Sequence, residues 1–144
     1  MAGYSGTPLP RKLGIKPQFK VDFFALPVTV KTELKKDLSM CQIVNGEEGK
    51  LDFAMIFIKS QAEMKEQFPL FGRRLAPTGM LWVSWPKKSS GIPVDVNEND
   101  VRRIGLTAGL VDVKVCAVNE KWSGLKFVIR VKDRPKSDRQ KKLG

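Results

Sequence analysis

Histidine is absent from all 144 residues. That absence removes more chemistry than any other feature of the composition: serine or cysteine triads with an imidazole base are excluded, and so are histidine-ligated metals. A general base would have to come from Asp, Glu, Lys or the single tyrosine, Tyr4. Cysteine is nearly as scarce. Cys41 and Cys116 stand 75 positions apart in apolar segments, with no further ligand at metal-binding spacing, so both read as buried free thiols and no metal is expected. No apolar run approaches the roughly 18 residues of a membrane span. The opening MAGYSGTPLPRKLG holds no stretch of the kind a secretory signal uses. The expectation is a soluble, cytoplasmic chain with no membrane partner. A phosphate loop of the form GxxxxGKS is also missing.

Positive charge is abundant but unevenly placed. The net charge is +11; residues 1–20 carry four bases and no acid, residues 132–144 six bases and two acids, leaving +3 for residues 21–131. The pattern predicts an extended N-terminal arm over 1–18, one α/β domain over 19–131 and a basic, flexible tail over 132–144. Such ends serve solubility or reach toward polyanions, which keeps an RNA- or ribosome-associated role open. A chain of this length can bury roughly 70% of its unfolded surface without staples. Nothing in the pattern sets an oligomeric state.

Periodicity divides the domain. In the arm, PRKLG suits one short turn opened by Pro10 and closed by Gly14. FKVDFFALP (19–27) reads as a buried strand, VTVKTELKKDL (28–38) as a helix with Val30, Leu34 and Leu38 inward, and MCQIV (40–44) as a short strand. LDFAMIFIKS (51–60) is apolar on both faces, as a central parallel strand must be. A helix follows, with Ser60 as N-cap, Glu63 completing a capping box and Pro69 limiting its far end. MLWVSWP (80–86) is the next strand, NENDVRRIGLTAGL (97–110) a helix with Val101, Ile104 and Ala108 inward and Gly109 at its C-cap. VDVKVCAV (111–118) and LKFVIRV (125–131) are too closely joined for a parallel crossover, so they form an antiparallel pair. The expected fold class is therefore α/β: three layers, a mostly parallel Rossmann-like sheet, and an antiparallel C-terminal hairpin.

This order resembles the class I S-adenosylmethionine-dependent methyltransferase fold. LDFAMIFI is similar to its fourth strand, RLAPTGMLWVSWP to its fifth, and AGLVDVKVCAV with WSGLKFVIR to its closing hairpin. At a finer level AGYSGTPLPRKLGIKP, LWVSWPKKSSG and GLVDVKVCAVNEKWSGLKFVIR resemble the bacterial domain-of-unknown-function family 3052, which implies a truncated methyltransferase-like fold and no settled activity. The first third departs from the methyltransferase pattern. FALPVTVKT lacks the glycine-rich turn that lets the backbone approach the cofactor, and the acid that would hold the ribose is replaced by Asn45, with Glu47 two residues on. The resemblance thus implies no resident cofactor, with S-adenosylmethionine disfavoured.

Ligands of open α/β sheets gather outside the carboxyl ends of the strands, here Leu26-Pro27, Lys59-Ser60 and Pro86 to Ser90. The apolar strand ends in Lys87, Lys88, Ser89, Ser90 and Gly91, which together with Lys59 suit an anion cradle. The same loop equally suits plain solvation where a buried strand leaves the core. Trp122, in the turn NEKWSG, is more exposed than a strand residue if the turn is open, and suits either stacking on a ligand or partner or simple packing over the hairpin. No carboxylate is expected at the rim of the two central strands, and no catalytic residue is assigned. The reading is a non-catalytic methyltransferase-like module that takes an anionic small molecule or nucleic acid at the loop after the central strand. The alternatives are a methyltransferase with an atypical cofactor site and an RNA-associated protein.

Overall fold

A computed structural model of the chain describes residues 6–46 and 49–135. Tyr4, Glu47 and the tail from residue 136 onward lie outside the described residues. Among the described residues six strands form one sheet, interleaved with four α-helices: α1 (Leu9–Leu13), β1 (Lys20–Phe24), α2 (Val28–Leu38), β2 (Gln42–Ile43), β3 (Leu51–Phe57), α3 (Gln61–Gly72), β4 (Leu75–Pro86), α4 (Glu98–Thr107), β5 (Leu110–Ala117) and β6 (Trp122–Ile129). The strand order is β2-β1-β3-β4-β6-β5. β1, β2, β3 and β4 run parallel, while β6 lies antiparallel between β4 and β5. The fold is the Rossmann-like α/β sandwich that the periodicity predicts.

Alternation along β3 builds two cores at once. Phe53, Met55 and Phe57 point toward α1 and α2, where they meet Val21, Val30, Leu34 and Trp82. Ala54, Ile56 and Ile58 point the other way, into the layer of α3 and α4 with Leu81, Val83, Phe68 and Phe127. A strand covered on both faces has no polar position to spare, which is why the segment reads as one apolar run.

The segment expected to be part of an extended arm is helical and packed. Leu9, Leu13 and Ile15 are buried, and the Trp82 indole donates to the Leu13 carbonyl at 2.9 Å. Gly14 closes α1 in the left-handed conformation at φ 85°, as the PRKLG pattern implies.

Two boundaries and one inward-facing position differ from expectation. β4 begins at Leu75 rather than Met80, with an irregular register between the Leu51–Leu75 and Phe53–Met80 pairs. Gly79 lets the strand pass the Leu51 carbonyl, which a Cβ would strike, so pairing extends back to Leu75. β2 is only two residues long, exposed at the sheet edge. Ala108 is exposed, and Gly105 takes the inward position on α4. Both cysteines are free and only partly buried. Among the described residues no helix is long and apolar enough to cross a membrane.

Candidate functional site

The parallel strands present their carboxyl ends to one rim, and each exit is shaped by its own local chemistry. β3 leaves through Lys59 and Ser60 into α3, whose N-terminus is capped by side chains. Ser60 Oγ accepts from Glu63 N at 3.1 Å, Glu63 Oε1 accepts from Lys59 N at 2.8 Å, and Asp95 Oδ1 accepts from Gln61 N at 2.7 Å. Two carboxylates therefore do stand at the rim of the central strands, contrary to expectation. Glu63 was read only as a helix cap, and Asp95 arrives because the chain after β4 folds back to bond Lys59 O through Asp95 N at 3.0 Å. The positive end of α3 is neutralised from within.

β4 leaves through the expected cradle, and much of that loop is occupied with itself. Lys88–Ser90 forms one turn of 3-10 helix closed by Gly91 at φ 78°. Ser90 Oγ donates to Lys87 O at 2.6 Å and accepts from Ile92 N at 3.1 Å, and Lys87 N donates to Lys121 O at 2.8 Å. Lys88, Ser89, Gly91 and Lys59 are exposed, and Lys87 is half-buried. The predicted residues thus share one rim without converging on a common point.

β1 leaves differently. Ala25 takes the left-handed conformation at φ 56°, and Pro27 precedes α2 with no side-chain cap and no acid in the first turn. The first helical bond comes from Lys31 N to Pro27 O, so the amides of Val28, Thr29 and Val30 have no acceptor among the described residues. α2 thus carries an open positive end, while α3 is capped as described and α4 has a complete box of Asn97 and Asp100. The left-handed turn is the conformation a glycine would adopt at no cost. Ala25→Gly is accordingly expected to raise stability by about 1 kcal/mol, seen as a higher urea midpoint at unchanged slope.

The open end of α2 faces a cleft of about 610 Å³. Pro27, Val28, Thr29 and, farther along α2, Glu33 line it together with Ile92 and with Asn119, Glu120 and Lys121 of the β5–β6 turn. Asn119 fixes that turn by accepting from Lys121 N at 2.8 Å and Trp122 N at 2.9 Å. Val28 is 78% exposed at the mouth. Of the sequence-predicted residues only Trp122 lines the cleft, and it does so from within the core. It is 7% exposed and packs edge-on against Phe57 at 5.2 Å, because it begins β6 opposite Pro86 rather than capping a free turn. The wall residues of α2 left one trace in the sequence, the lack of Ser, Thr, Asp or Asn ahead of the helix.

No protein-family model matches this chain, and no curated protein matches it by sequence. Solved structures do match in fold. The chain is similar to a SAM-dependent methyltransferase from Aquifex aeolicus, with a TM-score of 0.57 and 15% identity over 81% of this chain and 85% of the other. It is similar to magnesium protoporphyrin IX methyltransferase from Synechocystis PCC 6803 with bound SAH, with a TM-score of 0.56 and 13% identity over 78% and 74% of the two chains. A S-adenosylmethionine-dependent methyltransferase from Clostridium acetobutylicum matches with a TM-score of 0.56 and 6% identity over 83% and 87%. At these identities the likeness is one of fold, a methyltransferase-like one.

Proposed function

We propose that this chain is a methyltransferase-like binding module that takes a small ligand with an anionic group in the cleft between α2 and the β5–β6 turn, and that it transfers no methyl group itself. The observation that carries this reading is the uncapped N-terminus of α2 opening into the cleft, beside Lys121. The volume suits a nucleoside-sized molecule, and Ile92 and Trp122 supply apolar contact. The cradle of Lys87, Lys88, Ser89, Ser90 and Gly91 enters this proposal as a flank: Lys87 is bonded to Lys121, and Gly91 leads directly into Ile92. The likeness to domain-of-unknown-function family 3052, on the three strings quoted above, accords with a truncated member of this fold.

A second reading is a methyltransferase with an atypical cofactor site. The structural neighbours with bound SAM or SAH make S-adenosylmethionine the first ligand to test. The left-handed turn at Ala25 and the free amides of α2 suit it. The side chains of Leu26, Pro27 and Val28 do not, because they stand where a glycine-rich turn would bring the backbone close. Nor does Asp22, the acid of β1, which is buried and held by Arg74. Neither Asn45 nor any other described residue supplies an acid at the end of β2.

Calorimetric titration of the full chain with S-adenosylmethionine, S-adenosylhomocysteine and a nucleoside monophosphate separates the readings. The module reading expects nucleoside monophosphate binding that weakens about tenfold in Thr29→Pro plus Lys121→Ala, with S-adenosylmethionine silent. Micromolar S-adenosylmethionine binding would move the assignment to the second reading.

A further inference from the structure

Away from the rim cleft, three lysines meet on the face of the β5–β6 hairpin that borders α1. Lys114 and Lys126 are direct partners across the two strands, so their side chains leave the same face with Cβ atoms about 5 Å apart. Lys12 comes from α1: its Nζ donates to Ala117 O at 2.7 Å, while Lys114 Nζ donates to Lys12 O at 3.1 Å. Lys12 and Lys114 each give one ammonium hydrogen bond to a carbonyl oxygen. The four ion pairs among the described residues use Arg74, Arg102 and Arg103 and leave Lys114 and Lys126 out. Lys126 is half-buried and its ammonium finds no acceptor among the described residues.

Like charges directly opposite on a sheet oppose its formation. Burial first, and then Lys114, push the pKa of Lys126 below its ordinary value. With the folded-state pKa lowered, a protonated Lys126 works against folding at neutral pH, and a bound anion would remove that opposition. Cys116 lies two residues beyond Lys114 on the same face. Burial pushes its thiol up, and the charges that pull the other way are Lys12 and Lys114. Apolar or carboxylate side chains would have stabilised this strand pair, yet the sequence sets Lys114 directly opposite Lys126.

We propose that Lys12, Lys114 and Lys126 form a binding site for a phosphoryl group, separate from the rim cleft. Three point charges without an arginine fork match a compact, multiply charged oxyanion better than a planar carboxylate. The bound group gives Lys126 a charged acceptor and offsets the cross-strand repulsion. Arg11, exposed on α1, extends the positive surface toward a second phosphate.

Thermal melting of the full chain with inorganic pyrophosphate tests the site. At a tenfold excess over its dissociation constant, pyrophosphate is expected to raise the melting temperature by about 4 °C. The rise is expected to vanish in Lys126→Met and in Lys114→Met, which keep the apolar stems, and to persist in Lys121→Ala at the rim cleft. A second readout is the rate at which Cys116 reacts with an anionic aromatic disulfide in a Cys41→Ser background, which pyrophosphate should slow at least fivefold. A single-stranded oligonucleotide in the same assays identifies the source of the phosphate: protection stronger than that of pyrophosphate at equal phosphate assigns the site to a nucleic-acid backbone, and weaker protection to a small phosphorylated molecule. An equal melting rise in the parent and both lysine variants, or no protection of Cys116 by either probe, overturns the proposal.

Discussion

Gly105→Ala is expected to destabilise the fold by about 2–3 kcal/mol, although alanine gains about 1 kcal/mol in helix propensity. Gly105 is buried on the sheet-facing side of α4, where a Cβ would collide with three ring carbons of Phe127. The ring has nowhere to go. Phe127 is fully buried and stacks edge-on against Phe68 at 5.0 Å from the opposite side. Relief must come from α4 lifting off the sheet, which opens space around Val101 and Ile104 in the same core. Because the segment leading into α4 carries Asp95 over the start of α3, the same displacement loosens the rim. Urea unfolding measures the loss directly. A variant as stable as the parent would show that the spacing between helix and sheet is not set by this contact.

Asp22→Ala is expected to cost a comparable 2–3 kcal/mol, the lower part of the range for a broken buried ion pair, because Arg74 retains some access to water. Asp22 is buried in β1, and its carboxylate accepts from Phe23 N at 2.8 Å, Gly46 N at 3.1 Å and Arg74 Nη1 at 2.7 Å. Arg74 reaches on to Val44 O at 3.1 Å. One carboxylate therefore fastens the end of α3 and the chain beyond β2 to the second strand of the sheet. Truncation strands a guanidinium whose Nε already lacks a partner. Adding Arg74→Met to Asp22→Ala should recover part of the loss, since the uncompensated charge goes with it. A double variant no more stable than Asp22→Ala would mean that the backbone bond to Gly46, and not the charge, carries the cost.

These two sites mark what the sequence does and does not disclose. β3 and the central part of β4 were legible because strands covered on both faces have no freedom to carry polar residues. α4 announced itself through the spacing of Val101 and Ile104 and through Gly109 past its end, while its capping box of Asn97 and Asp100 went unread. The Asp22–Arg74 pair was invisible, being 52 positions apart, and a lone acid in an apolar run gives no hint of its partner. The site was legible only as an edge of the sheet. The loop at Lys87 to Gly91 was found at the rim where parallel strands must end, but its internal bonds could not be read from KKSSG. The cleft beside it is made by α2 and the β5–β6 turn, two pieces brought together by topology. Trp122 was misjudged because the turn NEKWSG is shorter than it looks: β6 starts at the tryptophan itself.

The attachment of α1 bears on how the chain is made. Leu13 is held by Trp82, Lys12 reaches Ala117 and Lys114 reaches back to Lys12, with partners up to 105 positions downstream. During synthesis, α1 can meet α2 early, but its bonds to β4 and β5 wait until Trp82 and Ala117 have emerged. Leu9, Leu13 and Ile15 keep part of their burial waiting through that interval, so a segment made before the central strands completes its packing after them.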